Sequence, residues 1–293
     1  MAFPEHLNAL PLIGRLKRAS TEHKGDAGKV ILVGGCPGMA GALILAGKAC
    51  THLGAGWTML QMLDPLSAHA DFDQPELMIQ AATQQPSDIF NQSHPDVIAI
   101  GPGLGKSEIA YIWVKETLNY PNIPLILDAD ALNLISASDE LMAALQNRNK
   151  LFPGLTVLTP HPGEAGKLLH CPSEDIQRDR QNALEKLISL THSIIVLKGK
   201  NTLIGAPGHT PMECQEGNPG MGTGGMGDIL TGSIAAIAAQ GTRHHLDLWE
   251  ATAIAVQLHA TAADNMVQQG NGPIGITPSE TIIEMRSLLN RLL

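Results

Sequence analysis

The residues of this sequence best placed to do chemistry are concentrated in GNPGMGTGGMGD, residues 217–228, where six of twelve positions are glycine and the last is an acid. Glycine loses more conformational freedom on folding than any other residue, so a run this dense destabilises a fold unless the bare backbone is used. Immediately before a helix, consecutive glycines leave N–H groups pointing outward, and the helix dipole adds partial positive charge behind them: an anion hole. Asp228 then has two compatible readings. It can cap the helix, or it can act as a general base toward a hydroxyl that attacks a phosphoryl group held by the glycines. The positive helix end is expected to keep Asp228 ionised.

Something must position that loop. Five β-branched runs, KVILVGG (29–35), DVIAIGPG (96–103), PLILDAD (124–130), TVLTPHPGE (156–164) and SIIVLKGK (193–200), are apolar throughout, as strands buried on both faces require. They end in glycine or an acid rather than in hairpin turns. Helical patterns over 39–52, 141–147, 176–191, 229–240 and 249–268 lie between and after them, with Gly241 in the position that stops the fourth. The alternation predicts an α/β fold, a mostly parallel central sheet with helices on both faces, as one domain over residues 1–293. Ligands of such sheets collect at the carboxyl ends of the strands, so the glycines and polar residues there share one rim. Residues 64–93 read as an irregular, lid-like excursion.

Composition narrows the ligand. The 293-residue chain is 44% apolar, carries a formal charge of −9 and has 3% aromatics. It lacks the basic field that nucleic acid or an anionic membrane demands, so an anionic ligand must be held locally. Cys36, Cys50, Cys171 and Cys214 are scattered, without zinc-ligand spacing, and read as reduced thiols. No apolar run approaches the roughly 20 residues that span a bilayer, and a cytoplasmic protein is expected.

Two phosphate motifs fail on spacing or context. GPGLGKS (101–107) is no P-loop, because the required first glycine is Ile100. GMGTGG (220–225) fits a dinucleotide fingerprint but is not followed by helix, strand and acid. At other strand ends, KGKNT (198–202) reads as a solvated turn or a cation-bearing binder, and His161 as ordinary structure or a rim contact. Glu164 reads as a helix cap or a water-mediated Mg²⁺ ligand. GGCPGMAGA (34–42) offers close helix packing or a second phosphate cradle. Asp128, Asp130 and Asn133 need hydrogen bonds or a metal to satisfy a buried strand end.

Seven ordered blocks carry a resemblance: KGDAGKVILVGG, GMAGALILAGKA, GPGLG, LDADALN, LTPHPGEAGKLL, VLKGKNTLI and GNPGMGTGGMGD. Together they resemble the ADP/ATP-dependent NAD(P)H-hydrate dehydratases of the ribokinase-like superfamily over roughly residues 24–241. The resemblance implies repair of the hydrated cofactors NADHX and NADPHX by phosphorylation of the ring hydroxyl and elimination of phosphate. It implies Mg²⁺ and ADP or ATP as co-substrate, ADP being expected for a compact chain.

It also implies roles for residues. Asp228, Gly225 and Gly227 are catalytic. Ala42, Gly103, Gly105, His161 and Asp228 meet NAD(P)HX. Lys198, Gly199, Lys200, Asn201, Thr202, Asn218, Gly222, Thr223, Gly224 and Gly227 meet the nucleotide. Glu164, Asp128 and Asn133 are the metal candidates. Cys36 stands where family members often carry serine. With about two dozen residues ahead of the first block, no fused epimerase domain is expected, and a separate epimerase is the functional partner. A homo-oligomer, a tetramer, is expected, with subunit contacts from helices 39–52 and 249–268. The rivals are a ribokinase-like kinase of a vitamin precursor or sugar, which shares the anion hole, and a nucleotide-binding module without turnover.

Overall fold

In a computed structural model that describes residues 4–83 and 85–293, the apolar runs are strands carrying core side chains on both faces. Val30 and Leu32 point into one helical layer, and Ile31 and Val33 into the other. The strands are β1 (Glu5–His6), β2 (Lys29–Gly34), β3 (Trp57–Met62), β4 (Met78–Ala81), β5 (Val97–Ile100), β6 (Leu125–Leu127), β7 (Thr156–Leu158), β8 (Ile194–Leu197), β9 (Thr202–Gly205) and β10 (Met212–Cys214). They form one sheet in the order β1-β10-β9-β8-β7-β6-β5-β2-β3-β4. From β4 to β8 every pairing is parallel, while β9 is antiparallel to both its neighbours. The strand order reverses at the β2–β5 junction, the switch point where an open parallel sheet offers its crevice.

The helices are α1 (Ala40–His52), α2 (Pro86–Ser93), α3 (Glu108–Asn119), α4 (Ala129–Ser136), α5 (Asp139–Leu151), α6 (Pro162–Leu168), α7 (Ser173–Arg178), α8 (Arg180–Thr191), α9 (Met226–His244), α10 (Leu248–Gln268) and α11 (Pro278–Leu292). One layer is built from α1, α9, α10 and α11, and the other from α3 to α8. Small residues let α1 and α9 touch backbone to backbone: a Cβ on Gly232 would fall 2.0 Å from the Ala46 carbonyl oxygen. Of the two helices expected to make subunit contacts, α10 buries nearly all of its apolar side chains inside the chain and the small-residue helix about half of them.

Four expectations need correction. Residues 64–93 are no lid: among those described they contain the parallel edge strand β4 and helix α2, with Gln84 outside the described residues. The run 193–200 ends in a hairpin, because KGKNT turns the chain from β8 into antiparallel β9, with Asn201 at φ 55°. The pattern over 176–191 is two helices, broken at Asp179, whose side chain caps Asn182 in α8. Gly241 does not stop α9, which runs on to a left-handed His245. No helix among the described residues is long and apolar enough to cross a membrane.

Candidate active site

The loop from Gly217 to Gly225 divides at Thr223. Its first half is held by its own hydrogen bonds and by one helix. Asp264 of α10 accepts from the Gly217 N–H at 2.8 Å and from Asn218 Nδ2 at 2.9 Å, and Asn218 Oδ1 accepts from the Gly220 N–H. The Gly222 N–H donates to the Pro219 carbonyl, and Thr223 Oγ1 to Gly220. Asn218 is thus a turn residue, and Gly222 and the Thr223 hydroxyl are already engaged. In the second half, the N–H groups of Gly224, Gly225, Gly227 and Asp228 have no acceptor among the described residues, while Met226 bonds back to Thr223. That half, with helix α9 behind it, has the form expected of an anion hole.

Its shape requires glycine at Gly225 and leaves little room at Gly227. Gly225 is the left-handed N-cap of α9 at φ 96°, and a Cβ there would stand 2.7 Å from Leu45 and 2.8 Å from Pro278. A Cβ on Gly227 would stand 3.3 Å from Lys198 Nζ. Asp228 is consequently not the N-cap but the third residue of the helix.

Below the hole lies a cluster of one cation and three carboxyls. Lys198 Nζ donates to Asp128 Oδ1 at 2.7 Å and stands 4.0 Å from Glu164. Thr159 Oγ1 donates to the same Asp128 oxygen at 2.7 Å, and Thr231 Oγ1 to the other at 2.8 Å. Burial opposes the Lys198 charge, but Asp128 and Glu164 outweigh it and hold the ammonium above its ordinary value. The carboxyls have too little positive charge to share. Burial, then Asp128, pushes Asp228 up to about 7, against the pull of Lys198. The expectation of a fully ionised Asp228 is therefore corrected: one helix dipole does not offset burial beside a second carboxylate. A base with a pKa near the working pH is well matched to proton transfer.

His161 caps α6, accepting through Nδ1 from Gly163 and Glu164, while Glu164 Oε2 accepts from the His161 N–H at 2.8 Å. Burial, followed by the Lys198 charge, lowers the His161 pKa and leaves the ring neutral at pH 7. Burial holds the Glu164 carboxyl above its ordinary range. The ring is half-exposed on the rim, and its Nε2 stands 3.2 Å from Glu164 Oε1.

At the switch point the turns after β2 and β5 are laced together. The Gly35 N–H donates to Pro102 at 3.0 Å and the Cys36 N–H to Gly103 at 2.7 Å. Within the 34–42 stretch read as a second phosphate cradle, these two amides are thus engaged by the neighbouring turn. Gly103, at φ 57°, packs with its Cβ position 3.1 Å from Ala42, and the Gly105 N–H donates to Asp130. Ala42 and Gly103 are thus in contact, and Gly105 lies close by against Cys36. The KGKNT corner lies across the sheet: Thr202 Oγ1 donates to Gly199, Asn201 Nδ2 to Glu213 at 2.6 Å, and Lys200 is exposed.

The NAD(P)H-hydrate dehydratase family model matches residues 30–285. The chain belongs to this family. It is 33% identical over 279 residues to an ADP-dependent (S)-NAD(P)H-hydrate dehydratase of Neisseria meningitidis serogroup B, covering 94% of this chain and 89% of that protein. It is 37% identical to a bifunctional NAD(P)H-hydrate repair enzyme of Coxiella burnetii over 94% of this chain and 53% of that one. The chain spans about half the length of the bifunctional relatives it matches. A crystal structure of an ADP/ATP-dependent NAD(P)H-hydrate dehydratase from Bacillus subtilis, co-crystallised with ATP and Mg²⁺, superposes with a TM-score of 0.82 at 26% identity, covering 100% of both chains. The fold is ribokinase-like.

For this member of the dehydratase family, the three metal candidates do not form a cage. Both oxygens of Asp128 accept from Lys198 and the two threonines. Asn133 donates to Asp130 and accepts from Lys167 at 2.6 Å, and Glu164 closes the α6 cap. No group of three or more metal-binding side chains occurs among the described residues. The donors present do not make a protein-only Mg²⁺ site.

Sequence reasoning missed Arg180, whose guanidinium gathers the Leu197 and Lys198 carbonyls at 2.9 and 3.2 Å and so fixes the KGKNT corner. It also missed Asp264, Thr159 and Thr231. The acid closing the apolar stretch of α10 was the one visible signal among them.

Proposed function

We propose that the chain dehydrates (6S)-NADHX and (6S)-NADPHX back to NADH and NADPH in two steps, with ADP as the phosphoryl donor. Asp228, in its ionised form, takes the proton from the ring hydroxyl. The hydroxyl oxygen bonds to the donor's terminal phosphorus as the bond from that phosphorus to the AMP oxygen breaks. The C–O bond of the new phosphate ester then breaks as the adjacent ring carbon gives up a proton, whose bonding pair becomes the ring double bond, and phosphate leaves carrying the former hydroxyl oxygen and that proton. The products are NAD(P)H, AMP, phosphate and the proton taken up by Asp228.

The observation that carries this reading is the meeting of four acceptor-free N–H groups with a carboxyl whose pKa is about 7. The N–H groups stabilise charge on the phosphoryl in transit, and the carboxyl prepares the hydroxyl. Hydroxide is a poor leaving group, and the phosphoryl makes its departure easy. The dinucleotide is assigned to the crevice of Ala42, Gly103, Gly105 and His161. The donor is assigned to the side of Lys198, Gly199, Lys200, Asn201 and Thr202, with its phosphates on Gly224, Gly225 and Gly227. Mg²⁺, if bound, would neutralise phosphate charge.

The relatives' names support this assignment, the Neisseria protein being ADP-dependent. The test incubates purified protein with NADHX, Mg²⁺ and either ADP or ATP and follows the reduced-nicotinamide absorbance. Recovery with ADP, together with AMP and phosphate, is expected. Recovery with neither donor contradicts the reading, and a stable phosphorylated product marks a kinase.

A further inference from the structure

A second cavity, of about 550 Å³, opens on the same rim beyond His161. Its lining includes Lys106, Lys167, His170, Asn133 and Ser136, and contains no carboxylate. On a chain of net charge −9 this is an unusual concentration of basic groups. Neither lysine has a carboxylate partner within ion-pair distance among the described residues. Lys167 is instead oriented by Asn133, whose Oδ1 accepts from its ammonium at 2.6 Å. Asn133 is held in turn by Asp130, and Asp130 by the Gly105 N–H at 2.9 Å, so a hydrogen-bonded chain runs from the proposed dinucleotide crevice to the Lys167 head. Lys167 also contributes positive potential at His161.

We propose that this cavity reads the 2′-phosphate of the dinucleotide, so that the chain favours NADPHX over NADHX. The inference rests on the function proposed above and names the substrate within it. A phosphomonoester is close to dianionic at neutral pH, whereas each phosphate of a pyrophosphate diester carries one charge. Two ammonium groups without carboxylate partners, with an imidazole and two hydrogen-bonding side chains beside them, match the monoester. The cavity volume lies in the range of small-molecule sites and accommodates the attached nucleoside.

The test compares wild type with Lys106→Ala, Lys167→Ala and the double variant. Lys150→Ala, at the opposite end of the sheet, is the control. Dissociation constants for NADPH and NADH are read from their fluorescence, without turnover, and kcat/KM is measured for both hydrates. Wild type is expected to favour the phosphorylated form, and each lysine variant to reduce that preference by at least roughly tenfold, as loss of a charged hydrogen bond does. The control keeps the preference. Parallel loss of affinity for both dinucleotides assigns the charge to the pyrophosphate and overturns the proposal, as does an unchanged preference in the double variant. A lysine-dependent preference for NADPH in binding supports the proposal even if neither hydrate is turned over, an outcome that removes the proposed activity alone.

Discussion

The turn before α1 and the turn before α9 are both glycine-rich, both lead into helices of small residues, and differ in how their glycine amides are used. In the first, the Gly35 and Cys36 amides are bonded to the β5 turn, and the glycines serve close approach: a Cβ on Gly34 would fall 2.0 Å from the Pro102 carbonyl oxygen. In the second, the amides of Gly224, Gly225, Gly227 and Asp228 have no acceptor among the described residues. Glycine density therefore does not define an anion hole; the destination of each N–H does. The α1 turn spends its Gly35 and Cys36 amides on the neighbouring turn, and the α9 turn keeps its glycine amides for the proposed reaction site.

The largest expected effect breaks that contrast at its acid. Asp228→Asn keeps the shape and removes the base, so kcat should fall about 10²- to 10⁴-fold while dinucleotide affinity in a fluorescence titration stays close to wild type. Activity retained in this variant removes the chemical distinction between the two turns.

Alanine scanning of left-handed glycines sharpens the contrast. Gly225→Ala meets Leu45 and Pro278 as well as an unfavourable φ of 96°, and should cost about 1–3 kcal/mol in urea unfolding and lower kcat. Gly38→Ala, at φ 82° with nothing within 4 Å, should cost only the conformational strain, about 1–2 kcal/mol, and leave kcat near wild type.

The pH profile follows from the carboxyl cluster. Asp228 accepts a proton only when ionised, so kcat/KM should rise as pH rises through about 7. Asp128→Asn removes a negative charge that helps raise that pKa and should move the rise to lower pH. Between the ordinary value of 3.8 and about 7, the unfolded carboxyl is ionised while the folded one keeps its proton. Its contribution to stability therefore falls as pH rises across that window. The smallest effect is expected at the α1 turn: Cys36→Ser should leave stability within about 0.5 kcal/mol and kcat/KM nearly unchanged, since that turn works through its backbone.

The parallel strands and the glycine site were legible because each is written in a contiguous stretch: apolar runs for β2, β5, β6 and β7, and residues 217–228 for the loop. What was not legible depends on partners far apart in the chain. Thr231 reaches Asp128 across 103 positions and Asp264 reaches Gly217 across 47, and no spacing rule predicts either contact. The same distance effect misled the reading of charge, since Asp228 looked ionised beside its own helix until Asp128 was found next to it. The hairpin at KGKNT was hidden because one of its two positive-φ positions is Asn201 and only the other, Gly199, is a glycine. Helix α9 began earlier than expected because its N-cap is a bare glycine.

The central claim, that the α9 turn holds a phosphoryl group in transit to the ring hydroxyl, is tested most directly by the fate of that oxygen. NADHX prepared with a heavy-oxygen label in its hydroxyl is converted by the enzyme with ADP, and the inorganic phosphate and water are analysed by mass spectrometry. The account predicts one labelled oxygen in every phosphate released. Label appearing in water, with unlabelled phosphate, would contradict it.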